Sequence, residues 1–236
     1  MTIAANGQRL VLFDIDGTLL SAGRAAREAV LLALGRVYGW APSGDRGQKH
    51  DFSGKTDPQI VRELVAENVG SERCEAELEK ALEAYLLEFE RRLEPGAVVP
   101  KPGIPELLER LSLTPGVVLG LLTGNIERGA RLKLEPPGFN RYFPFGAFGS
   151  DSADRYSLPA LAVQRARDHS GMEFRGKSVV VIGDSVHDIA CGRSLGVRSV
   201  AVATGPTPPE RLLEEQPDVF FNDFSDVDGV LREILR

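Results

Sequence analysis

The residues most suited to chemistry are two aspartates. Asp14-Ile15-Asp16-Gly17-Thr18 closes the apolar run Arg9-Leu10-Val11-Leu12-Phe13. Carboxylates two residues apart at a strand end share a face. Such neighbours repel, so a cation must join them or one must hold a proton. Both arrangements suit phosphoryl transfer. Asp14 could attack phosphorus and form an aspartyl-phosphate. Asp16 could protonate the leaving oxygen and then deprotonate the attacking water. The competing reading is a turn whose aspartates serve only backbone amides.

Three further clusters lie downstream. Gly183-Asp184-Ser185-Val186-His187-Asp188 follows an apolar run and opens a helix. Asp184 could bind a hard cation, since Mg²⁺ favours a few carboxylates together with waters and phosphate oxygens. Asp188, four residues on, could reach the same side or serve as a helix N-cap. Thr123-Gly124-Asn125 offers a hydroxyl, a glycine and free amides at a strand-to-helix turn, a phosphate-holding set that also makes a plain turn. Arg155 could neutralise phosphate or orient the nucleophile, or sit at the surface paired with Asp151 or Asp154. His50, His169 and His187 lack ligand partners in sequence and read as solvent-facing. In Phe52-Ser53-Gly54-Lys55-Thr56-Asp57, the Gly-Lys-Thr run is not a nucleotide loop, because Lys occupies position 49 where that motif needs glycine. Lys55 and Thr56 are candidate substrate contacts, with a solvated loop lysine as the alternative.

The elements that must position these groups alternate. Apolar runs at 9–13, 117–122, 178–182 and 199–203, with weaker ones at 147–149 and 219–221, are separated by helical patterns at 102–111, 126–134, 158–167 and 188–195. That alternation predicts an α/β, Rossmann-like parallel sheet flanked by helices. Its functional loops should lie at the carboxyl ends of the strands, where the polar clusters fall. Residues 22–93 differ, with helix-period stripes and no strand. Asp57-Pro58 supplies an N-cap and a first-turn proline. Leu78, Leu82, Tyr85, Leu86, Phe89 and Leu93 step by three and four. The expected organisation is a core of residues 1–19 and 97–236, interrupted by an all-helical cap of residues 20–96.

Composition narrows the class. The net charge of -6 argues against a nucleic-acid or membrane-surface binder, which needs a broad basic face. No apolar run is long enough to cross a bilayer, and no signal-peptide pattern opens the chain. The only cysteines, Cys74 and Cys191, match no metal spacing and read as reduced thiols of a cytoplasmic protein.

Taken in order, Asp14-x-Asp16-Gly17-Thr18, Thr123-Gly124, a basic residue and Gly183-Asp184-x-x-x-Asp188 resemble the haloacid dehalogenase superfamily, of the helical-cap, phosphoglycolate phosphatase-like type. The likeness spans nearly the whole chain, inserted cap included. It implies a Mg²⁺-dependent phosphatase acting on a small phosphorylated metabolite, as a monomer or homodimer. By resemblance Asp14 is the nucleophile and Asp16 the acid/base. Thr123, Gly124, Asn125 and Arg155 hold phosphate. Asp14, the Asp16 carbonyl and Asp184 ligate the metal, with Asp188 a ligand or a residue just behind one. Two departures stand out: Arg155-Tyr156 replaces the usual Lys-Pro, and Gly17-Thr18-Leu19-Leu20-Ser21-Ala22 lacks the aspartate common after this motif in phosphoglycolate phosphatases. Competing activities on the same fold are a sugar-phosphate mutase, disfavoured because residues 23–27 contain no histidine, and a phosphonate hydrolase using Lys49 or Lys55. A non-catalytic phospholigand-binding module is the alternative of a different class.

Overall fold

The computed structural model describes residues 7–40, 50–66, 71–94 and 96–236. Its centre is strand β1 (Arg9–Phe13), buried on both faces, which is why its sequence is an unbroken apolar run. Alternate side chains serve opposite faces. Val11 and Phe13 join the core beneath α4 (Ile104–Ser112) and α9 (Val227–Leu235). Leu10 and Leu12 join the core beneath α6 (Leu158–Ser170). The parallel sheet has six strands in the order β5-β4-β1-β6-β7-β8. The others are β4 (Val117–Leu122), β5 (Gly146–Ala147), β6 (Val179–Gly183), β7 (Arg198–Val202) and β8 (Val219–Phe221).

Phe13 is in register with Leu121 of β4 on one side and Ile182 of β6 on the other. The three motif-bearing loops, starting at Asp14, Thr123 and Asp184, therefore leave adjacent strands at one edge. This is the crevice where open α/β sheets bind ligands.

Between β2 (Leu20–Ser21) and β3 (Val99–Pro100) the described chain is helical: α1 (Ala25–Tyr38), α2 (Asp57–Ala66) and α3 (Ser71–Glu90). β2 and β3 pair antiparallel, Leu20 with Pro100 and Ser21 with Val99, so the two crossings into and out of the helices are tied together. Ala33, Leu34, Val61, Tyr85 and Phe89 of these helices share one apolar cluster with Phe13 and Leu121 of the sheet.

The helix starts differ from the sequence reading in two places. Thr56, not Asp57, caps α2: its Oγ1 accepts from Gln59 N at 3.2 Å. Ser185, not Asp188, caps α7 (Val186–Ser194), with Asp188 completing a capping box from inside the first turn. The Asp57 carboxylate is engaged elsewhere, and that of Asp188 divides between this capping box and Arg155.

Candidate active site

Asp14 follows β1, Asp184 follows β6 and Asp188 lies one helical turn further on. All three are buried, and each offers an oxygen within 4.8 Å of the others. Asp14 N bonds Ile182 O at 3.0 Å, which continues the ladder into the loop. Asp184 Oδ1 accepts from Thr18 Oγ1 at 3.0 Å. Two glycines make room for it: a Cβ on Gly17, whose φ is +89°, or on Gly205 would fall 2.3 and 1.6 Å from Asp184 Oδ2. Both oxygens of Asp188 are committed. Oδ2 accepts from Ser185 N at 3.0 Å and Ser185 Oγ at 2.6 Å, and Oδ1 accepts from Arg155.

Arg155, only 4% exposed, also donates to Asp14 Oδ1 at 3.1 Å. The alternative of a surface pair with Asp151 or Asp154 is not what forms. Asp151 binds Arg165, and Asp154 accepts from Tyr156 N. One guanidinium does not balance the cluster. Burial pushes Asp14 up to about 7 against the pull of Arg155, with Asp188 and Asp16 adding repulsion. Burial, then Asp14 and Asp188, push Asp184 well above the carboxylate range. Crowded oxygen donors with excess negative charge fit a hard divalent cation such as Mg²⁺. Asp14 and Asp184 keep oxygens for it, while Asp188 holds Arg155 and the loop from behind.

Asp16 belongs to a separate network. Its side chain is 44% exposed, and Oδ2 accepts from Lys133 Nζ at 2.6 Å and Asn125 Nδ2 at 2.8 Å. Asn125 also donates to Thr123 Oγ1 through Nδ2 at 2.8 Å and through its backbone N at 3.3 Å. Asn125 thus organises its neighbours, while Thr123 and Gly124 line the cleft. Lys133, on α5 (Glu127–Leu134), donates to Asn125 Oδ1 at 2.5 Å and is 3% exposed. Sequence reasoning missed it. The available signal was its position on the stripe Ile126, Ala130, Lys133 and Leu134, all buried.

The helical segment sits directly on this site. Asp57 N donates to Gly124 O at 2.8 Å, Ile126 N donates to Asp57 Oδ2 at 2.9 Å, and Thr56 Oγ1 donates to Ala153 O at 2.9 Å. A Cβ on Gly124 would fall 2.0 Å from Lys55 O, so only glycine permits this approach. Thr56 is fully buried in the joint and does not line the cleft. Lys55 does line it, but its ammonium lies 2.5 Å from Glu63 Oε2, an oxygen that His50 Nε2 also meets at 2.9 Å. His187, expected in solvent, is half-buried, and its Nδ1 lies 2.8 Å from Tyr156 Oη. Lys49 lies outside the described residues. The cleft between sheet edge and helices has a volume of about 860 Å³ and includes Asp14, Asp16, Thr123, Arg155 and Asp184 in its lining.

A carboxylate cluster at the carboxyl ends of adjacent parallel strands, under a helical insert, defines a class of hydrolases. Residues 11–202 match the haloacid dehalogenase-like hydrolase family. The chain belongs to that family. It is 28% identical over 226 residues to a phosphoglycolate phosphatase of Agrobacterium fabrum, covering 96% of this chain and 93% of that one. It is 30% identical over 220 residues to a phosphoglycolate phosphatase of Pseudomonas fluorescens, covering 89% and 74%. A haloacid dehalogenase-like family hydrolase of Streptococcus pneumoniae shares the fold with a TM-score of 0.69 at 18% identity, over 96% of this chain and 98% of that one. These relatives place the protein among the family's phosphatases. No helix among the described residues is long and apolar enough to cross a membrane.

Proposed function

We propose that the protein is a Mg²⁺-dependent phosphatase that hydrolyses a small phosphate monoester through an aspartyl-phosphate on Asp14. The observation that carries this reading is the division of labour between two aspartates two residues apart. Asp14 is buried against Arg155 and two further carboxylates, while Asp16 stands outside that cluster at the cleft. Asp14 Oδ attacks phosphorus and the bond from phosphorus to the ester oxygen breaks. Asp16 gives its proton to that oxygen as the alcohol leaves. Water then attacks phosphorus, Asp16 takes its proton, and the bond to Asp14 breaks to release phosphate. Thr123 and Gly124 cradle the phosphoryl oxygens, and Arg155 orients Asp14 and offsets charge. Asp14, Asp184 and the Asp16 carbonyl would hold the Mg²⁺, which supplies charge neutralisation for the phosphoryl oxygens.

The core comprises residues 1–19 and 97–236, and the cap residues 20–96. The β2–β3 pair ties the two crossings between them. The cap roofs the cleft, which suits a small ester and excludes bulk water from the acyl phosphate. Phosphoglycolate, the substrate in the names of the relatives, is the first ester to assay. Two buried free cysteines suit a cytoplasmic setting. The test is phosphate release from a panel of small esters, with and without Mg²⁺, for wild type and Asp14→Asn. Release that needs Mg²⁺ and vanishes in Asp14→Asn is expected. Release from no ester, or release that survives the substitution, overturns the reading.

A further inference from the structure

Helix α5 is gripped by the cap at both ends. At its start, the N-cap residue Ile126 has no side chain able to cap, and its amide is taken by the carboxylate of Asp57, a cap residue, at 2.9 Å. One turn on, a Cβ on Gly129 would lie 3.5 Å from Leu86 Cδ2 and 3.7 Å from Tyr85 Oη, both on α3 of the cap. Near its end, Phe89 of the same cap helix places its ring centroid 5.7 Å from Lys133 Nζ. The ammonium held in this way reaches Asp16 Oδ2 at 2.6 Å and Asn125 Oδ1 at 2.5 Å. Lysine carries its charge on a flexible four-carbon stem, and here cap and core both wall that stem in. Asp16 is short and 44% exposed, and among the described residues its one other side-chain partner is Asn125, itself bonded to Lys133. The orientation of the acid/base carboxylate thus depends on a helix whose two ends the cap secures.

We propose that α5 is the part through which the seated cap positions Asp16, with Lys133 as the positioning residue and Asp57 as its anchor on the cap. The proposal rests on the phosphatase reading above and adds to it how the cap acts on the chemistry. A cap that is not seated leaves the Ile126 amide without its carboxylate and Lys133 without its aromatic wall. Asp16 is then free to leave the line between the ester oxygen and its proton. An enzyme built this way donates the proton only while the cap is seated.

The experiment is single-turnover alcohol release from two esters, a simple alkyl phosphate and p-nitrophenyl phosphate, with Mg²⁺ present. The alkyl leaving group needs a proton from Asp16, whereas p-nitrophenolate leaves with little help. Lys133→Met and Asp57→Ala should slow release from the alkyl ester about 10- to 100-fold, the scale set by misplacing a catalytic group by an ångström. Release from the aryl ester should fall less than about threefold, as expected when proton donation contributes little. Asp57→Asn keeps an acceptor for the Ile126 amide and should retain most of the alkyl rate. Adding Lys133→Met to Asp16→Asn should cost nothing further, because the residue acts through Asp16. Equal slowing on both esters, or an undiminished loss in the Asp16→Asn background, overturns the positioning role and leaves the reaction class standing. Should Lys133→Met not fold, the contrast between Asp57→Ala and Asp57→Asn decides the matter. Wild type that releases alcohol from neither ester refutes the phosphatase reading, and the positioning role with it.

Discussion

Asp57 joins cap to core through a buried carboxylate, and this gives stability an unusual pH dependence. Burial pushes its pKa up from 3.8 to about 6, against the pull of Lys133 and the bond from Ile126 N, with Asp16 adding repulsion. Tyr85 of α3 also faces it. A carboxyl whose folded pKa is raised binds its proton more tightly when folded. The resulting stabilisation is complete below 3.8 and is lost as pH rises through about 6. Asp57→Asn keeps the hydrogen-bond acceptor and removes the ionisation. The shift from 3.8 to about 6 corresponds to about 3 kcal/mol once both states are ionised. About 1 kcal/mol of that is already felt near pH 4.5, where the unfolded carboxyl is mostly ionised and the folded one is not. Stability relative to wild type should therefore shift in favour of Asp57→Asn by about 2 kcal/mol between about pH 4.5 and about pH 7.5. Urea unfolding of both proteins in EDTA at the two pH values measures this, because m should be unchanged and the midpoints carry the difference. A difference that stays constant, or that moves in favour of wild type as pH rises, refutes the argument that Asp57 is buried at a net electrostatic cost.

Two further outcomes follow from the same geometry. Gly124→Ala places a Cβ 2.0 Å from Lys55 O, so the cap should seat poorly, at a cost of about 1–3 kcal/mol and with a raised KM. Steady-state kinetics with thermal unfolding checks this, and unchanged values of both would show that the joint yields freely. Arg155→Met strips the buried partner from Asp14 and Asp188, which should cost about 3–5 kcal/mol in metal-free protein, with Mg²⁺ restoring part of it. Calorimetry in EDTA and in Mg²⁺ reads both effects, and a melting temperature like that of wild type in EDTA would show that Asp14 and Asp188 do not depend on the guanidinium.

The parts legible in the sequence were those governed by burial on two faces or by strand ends. Arg9–Phe13, Val117–Leu122 and Val179–Gly183 are covered on both sides or nearly so, hence their apolar runs. A parallel sheet then puts the residues after them at one edge, so the sequence alone groups Asp14, Thr123 and Asp184. Arg155 was harder, because nothing local distinguishes a buried arginine from a surface one. Its position is decided by Asp14 and Asp188, 141 and 33 residues away. Lys133 is hard to read for a similar reason. In Glu127–Leu134 a lysine reads as solvated; its place on the stripe with Ile126, Ala130 and Leu134 is the one local hint otherwise, and its partners Phe89, Asn125 and Asp16 lie outside the helix. In sequence Thr56 reads as a substrate contact, and Asp57 as a cap for its own helix. Each bonds across the joint instead, a contact that local propensity does not encode. The helices α8 (Pro209–Glu214) and α9 went unread, although Val227, Val230, Leu231 and Ile234 do form a buried stripe.

The same crowding sets the electrostatic cost of the Asp14, Asp184 and Asp188 cluster. Asp184 cannot turn away from Asp14 without leaving its bond to Thr18, and the backbones of Gly17 and Gly205 close around its carboxylate. Asp188 cannot turn away because Ser185 and Arg155 hold both its oxygens. Repulsion among the three therefore cannot relax through rotamers, and it adds to burial, the larger cause, in raising the pKa of Asp14 and Asp184. A nucleophile that prefers its proton near neutrality is a poor one until positive charge arrives. In the function proposed above, a divalent cation would add to the pull that Arg155 already exerts and favour the ionised form of Asp14. Asp16 escapes this constraint because its carboxylate lies with Lys133 and Asn125, outside the cluster. Two identical side chains, two residues apart, sit in opposite environments because one is walled in by carboxylates and the other is held by an ammonium and an amide.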